Sequence, residues 1–188
     1  MPIFLGKDRI VNAGLGRTPV SSITQAGLKI GDFFQGGFIF YFNDSSKKSG
    51  LIMTPVAPTR ALWGCGGLSI STSAALGTGQ SNTNNILSAC ASRPICASVA
   101  DSYSINGYSD WYLGSEDEME QLMLASINFG SSPFNIPRSE VIATSTQSTA
   151  TLSVFVSLAF NNASYSVSQA NKGGDINQYI IPIRSFSL

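Results

Sequence analysis

The sequence predicts an α+β fold: two short helices with antiparallel β-strands and long loops, preceded by an extended N-terminal segment. Three observations carry that prediction. "GGFIFYF" (Gly36–Phe42) is a continuous aromatic-rich run of strand length, and Ser115 opens a capped segment with an apolar face. "TLSVFVSLAF" (Thr151–Phe160) alternates apolar and small polar residues over ten positions. Helices and antiparallel strands in separate runs define the α+β class. A chain of 188 residues is long enough for one domain with a real core. It divides into a segment over 1–30 and a domain over 31–188.

Near the N-terminus, Leu5-Gly6-Lys7-Asp8-Arg9-Ile10 is echoed by Leu15-Gly16-Arg17-Thr18-Pro19-Val20. Two copies are too few for a solenoid. They read either as an irregular tail or as two extended units that gain burial only against a partner. In the second reading Ile3, Leu5, Ile10, Leu15 and Val20 are the anchors, docking by strand addition to a sheet edge. Gly36–Phe42 then reads as a strand buried on both faces, Asp44–Gly50 as a polar turn, and Leu51–Val56 as the returning hairpin partner. Residues 57–79 read as a loop anchored by Trp63, Ser81–Ala91 as a short helix capped by Asn or Ser, and 92–114 as loop.

"NGYSDWYLGSEDEMEQLM" (Asn106–Met123) crowds acidic residues beside a tryptophan. A helix start accounts for them. Ser115 is an N-cap, and Glu118, three residues on, reaches back to the cap's N–H. Glu116, Asp117 and Glu118 occupy the first turn, where the helix dipole favours negative charge. Met119, Leu122 and Met123 recur at the spacing of a buried helical face. Trp111 is expected to be structural, holding the long loop against the core.

In the C-terminal third, Leu152, Val154, Val156, Leu158 and Phe160 share one strand face. Asn161-Asn162 makes a turn, since Asn tolerates positive φ, and Ala163–Gln169 returns with Tyr165 and Val167 on the apolar face. Lys172-Gly173-Gly174-Asp175 turns again, and Gln178–Phe186 is the last strand. Pro182 places that strand at an edge or at a break in the ladder.

Composition excludes several function classes. Charged residues make up 12% of the chain, with 11 bases against 11 acids, so no basic surface for nucleic acid is expected. There is no histidine, which removes the commonest general base, the commonest zinc ligand and every Ser-His or Cys-His pair. No phosphate-binding loop, nucleophile elbow or calcium loop is present, so no catalytic residue, metal or cofactor is expected. Three cysteines, Cys65, Cys90 and Cys96, allow one disulfide or a set of buried thiols, and leave the redox compartment open. "MPIFLGKDRI" lacks the apolar core of a signal peptide, and no run is long enough to cross a bilayer. A soluble protein made in a cytoplasm, without membrane insertion, is therefore expected.

The order of elements, with the residues that punctuate it, resembles the C-type-lectin-like domains of bacterial and phage surface proteins. The likeness is to the C-terminal domain of Lcl-type adhesins and to the major paralogous domains, over roughly residues 31–188. Gly107, Asp110, Trp111, Leu113, Ser115 and Glu118 match the G-x-x-D-W-x-L-P-S-x-x-E-L signature, with Gly114 in place of its proline. Ala75–Cys90 is similar to the family's glycine- and asparagine-rich loop leading into its first helix, and "YIIPIRSF" to its closing strand. Ile142-Ala143-Thr144-Ser145-Thr146 stands where the family has Y-W-S-S-T, without the tryptophan. The Glu-Pro-Asn and Trp-Asn-Asp triplets of calcium-dependent sugar binding are absent. The resemblance thus implies the scaffold without the calcium chemistry.

The function this implies is a non-enzymatic phage virion structural protein of head or tail. Its lectin-like domain would meet a host-surface glycan or protein, and its N-terminal segment other virion proteins, in a homo-oligomer. The alternative is a bacterial cell-surface adhesin; an uncharacterised enzyme is third. A ligand surface is expected on the loops Trp63–Asn84 and Ser102–Tyr108 and the hairpin after Phe160. Tyr103, Asn106, Tyr108, Asn161, Asn162 and Tyr165 are its candidate residues, since rigid aromatics and adaptable amides suit recognition.

Overall fold

A computed structural model of the chain describes residues 27–55, 59–130, 132–161, 163–174 and 176–188. The anchors Ile3, Leu5, Ile10, Leu15 and Val20, and the turn residue Asn162, lie outside the described residues. Packing starts ahead of Gly31: Leu28 is buried among Ile39, Ile52, Trp111 and Phe186, with Ile30 against them.

Ten strands and three helices follow in chain order among the described residues. They are β1 (Phe33–Phe34), β2 (Gly37–Phe42), β3 (Ser49–Met53), β4 (Thr59–Ala61), α1 (Gly79–Ala89), α2 (Cys96–Asp101) and β5 (Tyr112–Leu113). Next come α3 (Glu116–Phe129), β6 (Ile142–Gln147), β7 (Leu152–Leu158), β8 (Tyr165–Asn171), β9 (Gln178–Ile180) and β10 (Pro182–Ser187). They form two five-stranded sheets, ordered β1-β2-β3-β10-β5 and β4-β9-β6-β7-β8. The α+β class, the β2–β3 hairpin and the β7–β8 pair are as the sequence predicts. The predicted all-antiparallel arrangement needs correction, because β6 runs parallel to β9 through Ile142 and Tyr179.

Pro182 sits where the last strand breaks. β9 ends at Ile180 in one sheet and β10 begins at Pro182 in the other, so the residue without an N–H falls where the chain changes ladders. Helix α3 lies against both sheets, packing on β2 and on β7. Its Met119, Leu122 and Met123 are buried with Phe40, Val156, Leu158 and Ile183.

Several expectations fail for physical reasons. β2 is not buried on both faces: Phe38, Tyr41 and Phe42 are half-buried. The described residues form three helices, not two. α2 has six residues, too few for a repeat, and is started by Ser98, whose hydroxyl accepts the Ile95 N–H at 2.9 Å. α1 starts at Gly79, two residues before Ser81, without a side-chain cap. Phe160, predicted on the apolar face, is 83% exposed, because β7 ends at Leu158. Val167 is exposed as well, since β8 is the outermost strand of its sheet.

Of the cysteines, Cys65 and Cys90 form a disulfide, and Cys96 is a buried thiol. Burial pushes that thiol up to about 12, so it stays protonated and unreactive.

Candidate functional site

Three parts of the chain build the candidate site: the Trp111 junction, the pinned loop over 63–78, and the open end of β6–β8.

Trp111 is fully buried, and its Nε1–H donates to the Tyr108 carbonyl at 3.0 Å. Its ring lies over Gly36 and Gly37, where a Cβ would come within 3.7 and 3.1 Å of it. Beside it, Arg184 makes a two-bond ion pair with Asp110, at 2.6 and 2.7 Å. The same guanidinium donates to the Gln35 carbonyl and amide oxygen and lies 4.3 Å from the centre of the Tyr108 ring. One arginine on β10 thereby ties β1–β2 to the junction, a planar fork used as a clamp.

Arg184's hydrogen bonds hold the Asp110 carboxyl below its usual range. A lowered carboxyl contributes stability above its unfolded value and loses it as pH falls through the folded one. Acid titration of the wild type should therefore show a stability loss below about pH 3.8 that Asp110→Asn lacks. Denaturation midpoints at stepped pH read it directly; identical acid limbs in the two proteins would remove the clamp from the account.

The loop after Trp63 is held at many points. The Trp63 Nε1–H donates to the Thr144 carbonyl at 2.8 Å, and the disulfide joins Cys65 to the end of α1. The Ser73 N–H donates to the Asn82 amide oxygen and the Gln147 N–H to the Thr72 hydroxyl. The Asp117 N–H donates to the Ala74 carbonyl. At the start of α3, the Ser115 hydroxyl accepts the Glu118 N–H at 3.3 Å, and the Glu118 carboxylate accepts the Ser115 N–H at 2.8 Å. The capping box forms as predicted. Burial raises the Glu118 carboxyl, and its bonds from Ser115 and Tyr112 oppose that shift. The Thr146 hydroxyl takes the Glu116 N–H, so the first donors of the helix are all occupied and offer no anion site.

Lys172, predicted as a turn residue, is 1% exposed. Its ammonium donates to the Leu68 carbonyl and the Gln147 amide oxygen and lies 4.8 Å from the Trp63 ring centre. Burial lowers its pKa. The Ile70 N–H also donates to the Gln147 oxygen. The Gln147 oxygen is thus engaged twice, from Lys172 and from the loop.

Beyond it opens a cleft of about 270 Å3 lined by Glu116, Gln147, Ser148, Val154, Val167 and Gln169, with Thr146 and Ser168. Burial raises the Glu116 carboxyl, and Glu120 and Asp117 add to the effect. The cleft lining thus includes the Glu116 carboxyl group, two glutamines and three hydroxyl residues, with two valines. Such a set meets neighbouring hydroxyl groups, which donate to the acid and accept from the amide. The volume falls just under the ~300–1,000 Å3 of sites for drug-sized ligands, and suits one small polar unit. A second hollow of about 330 Å3 lies by Tyr112, Glu118, Gln80 and Ser185, but its carboxylate is already committed to the cap.

The predicted ligand residues divide. Asn106 and Gly107, with φ of 53° and 84°, turn the chain between Ile105 and Tyr108, and Tyr103 lies just before that turn. Tyr103 packs beside the Trp111 cluster, and Tyr108 is covered by Arg184. Asn161 is exposed after β7, and the Tyr165 hydroxyl donates to Glu120 at 3.3 Å. None of these residues lines either hollow. In the sequence Glu116 reads only as a first-turn charge of the helix, and Gln147 and Gln169 are polar strand residues that carry no motif.

Among the described residues no three His, Cys, Asp or Glu side chains form a group able to hold a metal ion, and no helix is long and apolar enough to cross a membrane. Compared with known proteins, the chain matches no family model and no curated protein.

Proposed function

We propose that this is a non-enzymatic display protein, a C-type-lectin-like domain that binds a neutral polyhydroxylated ligand, such as a host-surface glycan, in the Glu116–Gln147–Gln169 cleft. The setting is a phage virion, head or tail. The N-terminal segment joins other virion proteins, and copies act together so that weak contacts multiply. The observation that carries the reading is the cleft itself: a carboxyl group, glutamines and hydroxyl residues lining a hollow on a scaffold fixed by a disulfide and a hydrogen-bonded loop. The placing of the signature residues supports the lectin-like assignment, with Trp111 buried at the loop-to-helix join and Ser115 and Glu118 forming the cap. The alternative, a bacterial surface adhesin, is favoured by the disulfide, since such bonds persist in oxidising surroundings outside the cytoplasm. Virion surfaces share those surroundings after release.

The test is binding of the purified protein to an oligosaccharide array and to bacterial cells. Glu116→Gln with Gln169→Ala should lower binding at least about tenfold, as loss of charge-assisted and amide hydrogen bonds costs ~1.5–3 kcal/mol, with an unchanged melting temperature. Unchanged binding would move the ligand surface away from the cleft. Absence of the protein from purified particles would favour the adhesin.

A further inference from the structure

We propose that the outer edge of β8 is a self-association surface, on which β8 of a second copy of this chain pairs antiparallel to join two sheets into one. The two sheets end in four edge strands. β1 and β5 have two residues each and β4 has three, whereas β8 has seven. Exposed edges template pairing, and proteins blunt them with short strands, charges, proline or bulges. The first three edges are blunted by length. Among the described residues nothing blunts β8: "YSVSQAN" carries no charge and no proline, and it pairs with β7 through seven consecutive residues without a bulge. Ser166, Val167, Ser168, Gln169 and Asn171 are exposed.

The occupant follows from charge and symmetry. An uncharged strand offers no counter-charge to a basic or acidic segment. The chain's own N-terminal units bring Lys7, Arg9 and Arg17, with Pro19 unable to donate to a ladder. A second β8 brings none of these, and the whole chain has zero net charge, so copies do not repel. Full overlap puts the two-fold axis at Ser168, opposing Ser168 to itself and Val167 to Gln169, with the self-complementarity that a two-fold interface needs. One added strand is far smaller than the roughly 20–30 residues a side of a standard interface, so the pair is weak in solution and strengthened by crowding on a surface. Val167, Ser168 and Gln169 also line the cleft, so pairing sets two clefts on either side of the axis; the pairing does not depend on what they bind.

The test is sedimentation velocity on the full chain, from low micromolar to the highest soluble concentration. The wild type should dimerise reversibly. Ser168→Lys and Ser168→Glu should each weaken the dimer about five- to tenfold, because like charges would stand opposite, and an equimolar mixture should restore it. Hydrogen exchange on the wild type supplies the second reading: amides of Tyr165–Asn171 should gain protection as concentration rises. A wild type monomeric throughout overturns the proposal. So does a dimer indifferent to both substitutions, which would place self-association elsewhere, or β8 protection independent of concentration, which would mean that the chain's own residues cover the edge.

Discussion

Trp111→Ala should be the most damaging single substitution in the domain, lowering stability by about 3–5 kcal/mol. Three losses coincide there. The indole is fully buried among Leu28, Ile39, Ile52 and Phe186, so truncation leaves a cavity that the glycine backbone at Gly36 and Gly37 cannot fill. The Tyr108 carbonyl loses the donor it has at 3.0 Å. Asp110, the preceding residue, loses its fixed position under Arg184. Against a typical total of ~5–15 kcal/mol, the variant should be insoluble or readily cut by trypsin, and its urea midpoint should fall steeply. Trp111→Phe keeps most of the buried area and loses the N–H bond, so it should show a fraction of the effect. If Trp111→Ala keeps the wild-type midpoint and loses only ligand binding, the tryptophan belongs to a ligand surface and not to the scaffold.

What the sequence discloses is what local physics determines. Ser115 and Glu118 sit three residues apart and satisfy one another, so the start of α3 can be read without tertiary information. Period-two alternation marks β7, and Pro182 marks the change of sheet. Where burial is arranged by distant partners, the sequence is silent. β6 reads as polar, "IATSTQ", yet five of its six residues are buried. Its hydroxyls are satisfied by the Val154 carbonyl, by Asn82 and by Ser73. Lys172 reads as a turn charge because its partners, Leu68 and Gln147, lie 104 and 25 residues away. Asp110 and Arg184, 74 residues apart, carry no shared pattern. The Asn106-Gly107 pair was a legible hairpin signal inside a stretch read as loop. The cleft was the least legible part: the tyrosines and asparagines expected to bind lie elsewhere, and the cleft residues are ordinary positions that only the packing of α3 on the sheet brings together.

Breaking the disulfide should have the second-largest effect, and should separate scaffold from cleft. Cys65 and Cys90 close a segment of 25 residues, for which restriction of the unfolded chain predicts about 3–4 kcal/mol. In a domain of this size that corresponds to a fall of about 10 °C in melting temperature, on reduction or in Cys65→Ala with Cys90→Ala. The loss should be local before it is global. The two sheets and α3 keep their contacts, while the loop over 66–78 retains only its hydrogen bonds. Cleavage by a nonspecific protease should therefore appear first within that loop, at temperatures where the rest still resists. The cleft should feel it too. Ile70 donates to the Gln147 side-chain oxygen and Thr72 accepts the Gln147 backbone N–H, so a loosened loop releases a residue that lines the cleft. Ligand affinity should fall in the reduced protein even below its melting transition. A reductant that lowers the melting temperature without altering affinity would show that Lys172 alone orients Gln147. One that changes neither would show that the pinned loop draws its order from the hydrogen bonds to β6 and α3.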